Sequence, residues 1–143
     1  MATQFHLALP CLSISKTRAF YHDLLGAQIG RSSVKWIDVN FYNHQITFTE
    51  SGPFTFEAGS YSFNGQVLPS FHFGVILNDQ EWNKILSLLK SKGVEIVSEV
   101  NFLKDKIGEH HSFFVNDPSG YTVEFKCFTN SNEVFKSENS ILT

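Results

Sequence analysis

His6, His72 and Glu124 have the residue types and the placement to hold one divalent cation. Glu124 lies in the stretch Asn116-Asp117-Pro118-Ser119-Gly120-Tyr121-Thr122-Val123-Glu124-Phe125. Asp-Pro-Ser-Gly is a turn, in which Pro118 presets φ and Gly120 adds backbone freedom. The strand after it sends Tyr121, Val123 and Phe125 to one side and Thr122, Glu124 and Lys126 to the other. His6 and His72 also fall opposite the apolar side of their strands. Two imidazoles and one carboxylate on rigid strands supply one face of an octahedral site. Three positions remain for substrate and a second ligand. A bound ion would keep Glu124 anionic and both histidines neutral. Without one, burying the three groups in an aromatic cleft is costly.

The elements that position these residues read as follows. Phe5 to Leu9 is a strand ended by Pro10. Ser13 or Ser15 caps a helix whose face carries Ala19-Phe20, Tyr21 and Leu24-Leu25, and Gly26 stops it. Ala27 to Ile29 is a short strand, and Gly30-Arg31-Ser32-Ser33 a turn. Lys35 to Phe41 and His44 to Thr49 are strands joined at Asn43. Residues 51–69 contain glycine, proline and scattered aromatics without a period, which predicts a linker with loop structure. Phe71 to Leu77 is a strand. Asn78 or Asp79 caps a helix from about Gln80 to Ser91, with Trp82, Ile85, Leu86 and Leu89 as its stripe. Val94 to Ser98 is a strand, Phe102 to Glu109 a charged loop, and His111 to Val115 a strand. Residues 131–143 form a polar C-terminal tail.

The chain is thus two copies of a βαβββ unit: module one about 4–50 and module two about 70–128, within one domain of residues 1–130. Phe5-His6-Leu7 matches Phe71-His72-Phe73, and Asn43 to Phe48 aligns with Gly120 to Phe125. The repeat makes His6 equivalent to His72, and Thr47 equivalent to Glu124. The fold class is α+β, with the two modules forming a curved mixed sheet around a metal-binding cleft.

Composition narrows the function. Hydrophobic residues make up 42% and charged residues 17%, so the chain folds. A net charge of −3 without a basic run gives no footprint for nucleic acid or an anionic membrane. No apolar run approaches the roughly 18 residues of a membrane span. The start, Met1-Ala2-Thr3-Gln4-Phe5, carries no secretory signal. The two cysteines, Cys11 and Cys127, lack metal-type spacing and read as reduced thiols of a cytoplasmic protein. Fifteen Phe suit either an aromatic-lined pocket or a Phe-rich core.

Several stretches in order resemble the vicinal oxygen chelate superfamily, which includes glyoxalases, extradiol dioxygenases, fosfomycin-resistance enzymes and bleomycin-binding proteins. They are Ala19-Phe20-Tyr21 through Gly26, Gly30-Arg31-Ser32-Ser33, Trp36 to Phe41, His44-Gln45, His72-Phe73-Gly74-Val75, and Asp117-Pro118-Ser119-Gly120 through Glu124-Phe125-Lys126. The set is closest to a small branch described as predicted extradiol dioxygenases and covers about residues 4–128. The resemblance implies paired modules, a metal in the cleft and a homodimer. It places the ligands at His6, His72 and Glu124, with Thr47 where other members have a fourth.

Thr47 cannot abstract a carbon-bound proton at neutral pH, which argues against a glyoxalase I unless Glu50 substitutes from a shifted register. Only Arg18 and Arg31 are available to surround a phosphonate, which argues against a fosfomycin enzyme. An open face of two histidines and one carboxylate suits Fe(II) and O₂, with Mn, Zn or Ni as other metals. The expected activity is ring cleavage of a small aromatic diol. His110 or His111 is the candidate acid/base. Gln45 and Asn40 are the candidate substrate-binding residues. The alternatives are a metal-free module that binds an aromatic ligand or antibiotic, and a glyoxalase- or fosfomycin-resistance-like lyase or transferase.

Overall fold

The structure, a computed structural model, describes residues 2–138. Residues 139–143 of the expected tail lie outside the described residues. Side-chain alternation decides the strands, and helix caps decide where they are interrupted. The described contacts divide the chain into two units. One is Met1–Glu57 with Asp117–Tyr121; the other is Ala58–Asn116 with Thr122–Thr143.

In the first unit, β1 (His6–Cys11), β2 (Gln28–Ser32), β3 (Trp36–Phe41) and β4 (His44–Glu50) form one sheet in the order β1-β4-β3-β2. β1 runs parallel to β4, and the other pairs are antiparallel. Pro10 does not end β1, because an edge strand tolerates a residue without an N–H. Ser13 caps α1 (Ile14–Arg18) by accepting from the Lys16 N–H at 3.2 Å. The helix then widens into π-helical turns over Ala19–Leu24, which bury Phe20 and Tyr21. Tyr21 packs on Phe48 with ring centres 4.9 Å apart. The Asp117–Tyr121 turn belongs to this core. The Tyr21 hydroxyl donates to Asp117 Oδ2 at 2.8 Å, and the Tyr121 hydroxyl donates to the Pro10 carbonyl at 2.7 Å. Asp117 Oδ1 accepts from the N–H groups of Ser119 and Tyr121. Burial holds Tyr21 well above its usual pKa and Tyr121 at about 12, so both remain proton donors.

The second unit repeats the topology with β7 (Phe73–Ile76), β8 (Ser98–Phe102), β9 (His110–Asn116) and β10 (Thr122–Phe128), in the order β7-β10-β9-β8. The Asn78 side chain accepts from the Glu81 N–H and caps α2 (Asp79–Ser91). Trp82, Ile85, Leu86 and Leu89 of α2 are buried, and the Trp82 indole N–H donates to the Phe125 carbonyl at 2.8 Å. The registers bear out the repeat residue for residue. Ala8 pairs with Thr47 and Gly74 with Glu124; Asp38 lies across from Thr47 and Phe114 across from Glu124. The chain is therefore α+β, with two βαβββ modules and two four-stranded mixed sheets. Among the described residues, no helix is long and apolar enough to cross a membrane.

Two expectations are corrected. The 51–69 stretch is not wholly loop: β5 (Ser60–Phe63) and β6 (Gln66–Pro69) form a hairpin turned at Asn64 and Gly65, both with positive φ. Leu68 buries itself with Phe102 and Phe114, and the Phe63 ring lies 5.5 Å from Phe102. Tertiary burial, not local periodicity, makes these strands. The strand expected at Val94–Ser98 instead begins at Ser98, because Ser98, Val100 and Phe102 are the residues in register with Phe114, Ser112 and His110.

Gly74 has no room for a side chain. A Cβ there would collide with the backbone carbonyl of Glu124 on the neighbouring strand. Gly74→Ala is expected to force β7 from β10 and cost about 3 kcal/mol. Urea denaturation of the variant against the wild type measures it.

Candidate functional site

Backbone pairing brings His72 and Glu124 to one face of the second unit. His72 Nδ1 lies 3.0 Å from the Pro69 carbonyl oxygen. A carbonyl only accepts, so the Nδ1 atom must carry a proton. In a neutral ring, Nε2 then bears the lone pair, and it faces Glu124 Oε1 at 3.3 Å. Two lone pairs so close repel each other. A cation must intervene, either a proton on Nε2 or a metal ion. Hydrogen bonding to Glu124 accordingly raises the His72 pKa, against the opposing effect of burial.

Glu124 is buried. Burial pushes its pKa up, but His72, Ser112 and Lys126 outweigh this and leave the carboxyl below its usual range. The Lys126 ammonium lies 3.7 Å from Glu124 Oε1. Ser112 Oγ is fully buried; it sits close enough to favour the Glu124 anion but completes no hydrogen bond of good geometry. The Phe114 ring meets the His72 ring edge-on at 5.7 Å.

His110 and His111 point to opposite faces, as neighbours on a strand must. His110 is in register with Phe128 and Phe102 on the Glu124 face, and its ring lies 4.9 Å and 5.1 Å from theirs. Its Nδ1 lies 2.8 Å from the Gly108 carbonyl oxygen, and burial lowers its pKa. At neutral pH it is an uncharged imidazole. His111 instead packs on the helix side, with its ring 6.1 Å from Trp82.

In the first unit, the open sheet face carries a different group. Asp38 is 5% exposed and holds three donors: Arg31 Nε at 3.3 Å and Gln45 Nε2 at 3.1 Å on Oδ2, and Thr47 Oγ1 at 2.7 Å on Oδ1. His6 is exposed on β1, in register with Gln45. Asn40 accepts from the Asn43 N–H at 2.8 Å, which braces the tight turn at Tyr42 and Asn43. Glu50 does not replace Thr47: its carboxylate accepts from the Ile14 N–H at the start of α1. Asp38 and Arg31 are the residues that sequence reasoning underweighted. The available signal was alternation, which puts Asp38 on the Asn40 side, but the bulge that aims Arg31 has no local mark.

Of the expected metal set, His72 and Glu124 meet within the second unit, and His6 belongs to the first. Among the described residues, no group of three or more His, Cys, Asp or Glu side chains is assembled to hold an ion. The pair itself fits a metal. Two donors about 2.1 Å from one ion and at right angles stand about 3.0 Å apart. The Pro69 contact also fixes the His72 tautomer, as hydrogen-bond partners of metal-bound histidines do.

A family model described as the Glyoxalase/Bleomycin resistance protein/Dioxygenase superfamily matches residues 3–125. The chain is similar to a glyoxalase/bleomycin resistance protein/dioxygenase from Alicyclobacillus acidocaldarius, with 25% identity, a TM-score of 0.78, and 93% of this chain and 96% of that one covered. The fosfomycin resistance protein FosX from Listeria monocytogenes shares its fold at 19% identity and TM-score 0.67, over 93% of this chain and 98% of that one. Lactoylglutathione lyase from Agrobacterium tumefaciens does so at 12% identity and TM-score 0.62, over 89% and 94%. No curated protein matches the chain.

Two outcomes are expected. Asp38→Ala strands the Gln45 and Thr47 donors and costs about 1–3 kcal/mol in urea denaturation. In chelator-treated protein, the His72–Glu124 pair contributes to stability in a defined pH window. The His72 pKa is raised, so its contribution is complete below 6.5 and lost as pH rises through the folded value. The Glu124 pKa is lowered, so its contribution is complete above 4.5 and lost as pH falls through the folded value. Urea midpoints of the wild type therefore fall on going from pH 6 to pH 8, while Glu124→Gln shows a flatter profile.

Proposed function

Because the chain belongs to the glyoxalase/bleomycin resistance protein/dioxygenase superfamily, we propose that it is a metal-dependent enzyme acting on a small molecule. In this reading His72 and Glu124 hold one divalent ion, as the second unit's share of the ligand set that the resemblance implies. The observation that carries it is the 3.3 Å separation between His72 Nε2 and Glu124 Oε1, two donors that need a cation between them. The ion, when bound, acts as a Lewis acid on a substrate oxygen. Glu124 stays anionic near Lys126, and Pro69 orients His72. His110, neutral and stacked between Phe102 and Phe128, can accept a proton at Nε2.

The finer reading is ring cleavage of a small aromatic diol, using Fe(II) and O₂, by a homodimer. Two histidines and one carboxylate with open positions suit that chemistry, and the buried Phe114 ring packs edge-on to His72. Glyoxalase-like and fosfomycin-like activities are compatible with the family. Thr47, however, gives its proton to Asp38 and offers no base.

One observation favours a second reading, a metal-free module that binds an aromatic ligand. The Lys126 ammonium already neutralises Glu124 in part without a metal. Metal analysis of protein purified without chelator separates the two. Stoichiometric Fe, Mn, Zn or Ni supports the enzyme; none after anaerobic reconstitution supports the binding module. Glu124→Ala is expected to abolish metal retention with the fold intact, and Thr47→Ala to change it little. Oxygen uptake by Fe(II)-loaded protein over catechols and hydroquinones, beside methylglyoxal with thiols, tests the activity.

A further inference from the structure

A second chemistry is laid out on the open sheet face of the first unit. A cavity of about 440 Å³ is lined there by residues that include His6, Gly30, Arg31, Asp38, Asn40 and Gln45. That volume suits a small organic ligand. β2 carries an irregularity between Ile29 and Ser32, where its pairing with β3 shifts register. Gly30 and Arg31 sit in that irregularity. The Arg31 Nε–H reaches Asp38, and its guanidinium lies 5.6 Å from the Trp36 ring centre. One edge of the fork is thereby held. The terminal amines make no hydrogen bond among the described residues, and the side chain is 80% exposed.

The charges point one way. Among the described residues Asp38 is the only acid lining the cavity; it is buried, and its oxygens already take three donors. Among the described residues Arg31 is the only Lys or Arg side chain lining it. An entering anion meets a preoriented guanidinium whose own counter-charge lies beneath it. Beside Arg31, the Asn40 oxygen accepts from the Asn43 N–H and its amide donors face the cavity; Gln45 gives one of its two amide N–H donors to Asp38 and keeps its oxygen unbonded among the described residues. The exposed Phe5 ring adds an apolar wall.

We propose that the first unit carries a binding pocket for a small planar organic carboxylate, anchored end-on by the terminal amines of Arg31. A guanidinium fork matches a planar carboxylate in a bidentate geometry. A single arginine beside the free Gln45 oxygen is a poor cradle for a phosphate dianion, which calls for several donors. The pocket uses first-unit residues alone and does not rest on a bound metal. An Arg31–Asp38 ion pair that served stability alone would bind no added anion.

The test titrates benzoate into the full chain in the presence of EDTA, read by calorimetry and by Trp fluorescence. Benzyl alcohol is the neutral control and inorganic phosphate the general-anion control. Saturable benzoate binding is expected, with neither control competing. Arg31→Ala should weaken binding roughly tenfold or more, while Arg31→Lys recovers only part of it. Arg31 is exposed, so both variants keep the fold, which circular dichroism checks. Absence of saturable binding, equal affinity in Arg31→Ala, or equal binding of phosphate would each overturn the proposal. Benzoate binding seen only without EDTA would assign the carboxylate to a metal and overturn it as well. The metal reading fails or stands separately, on metal content alone.

Discussion

A neutral imidazole and a carboxylate cannot face each other at 3.3 Å with a lone pair on each side. The second unit sets up this conflict with backbone alone. The Pro69 carbonyl claims the Nδ1 proton, and the β7–β10 register delivers Glu124 to the other nitrogen. Gly74 makes the delivery possible, since any side chain there would strike the Glu124 carbonyl. The result is a socket for positive charge. A proton on Nε2 fills it as the pH falls.

The two modules show how one topology supports different chemistry. Their registers superpose: Ala8 with Gly74, Thr47 with Glu124, Asp38 with Phe114. In the first module the acid sits on β3 and is quenched by three donors. In the second it sits on β10, next to a histidine and a lysine. Exchanging the strand that carries the carboxylate converts a polar network that orients Arg31 into a cation-binding pair. The Asp117 turn adds a different kind of constraint. Its buried carboxylate, fed by Tyr21 and two backbone N–H groups, fixes the Asp117–Tyr121 turn within the first unit's core.

The hairpin of β5 and β6 illustrates the limits of periodicity. Its strands are four residues each, and seven of the eight residues are exposed or half-buried. No alternation marks them. Leu68 is the exception, and its burial against Phe102 and Phe114 depends on residues more than thirty positions away. Arg31 is a similar case. Gly30-Arg31-Ser32-Ser33 has the composition of a turn, yet pairing with β3 draws it into a strand with an irregularity that aims the guanidinium at Asp38.

The sequence by itself determined the duplicated βαβββ plan, the helix starts at Ser13 or Ser15 and at Asn78 or Asp79, and the strand faces of His6, Gln45 and Glu124. These follow from periods of two and 3.6 residues and from cap chemistry, which are local properties of a chain. It also carried the family, through the ordered set of motifs. Only the tertiary structure decided which polar groups meet. That His72 faces Glu124, that Asp38 gathers Arg31, Gln45 and Thr47, and that Glu50 is spent on a helix end all depend on which strands lie side by side. Parity assigns a residue to a face but does not name its neighbour, because the neighbour is chosen by hydrogen-bond register between segments distant in sequence.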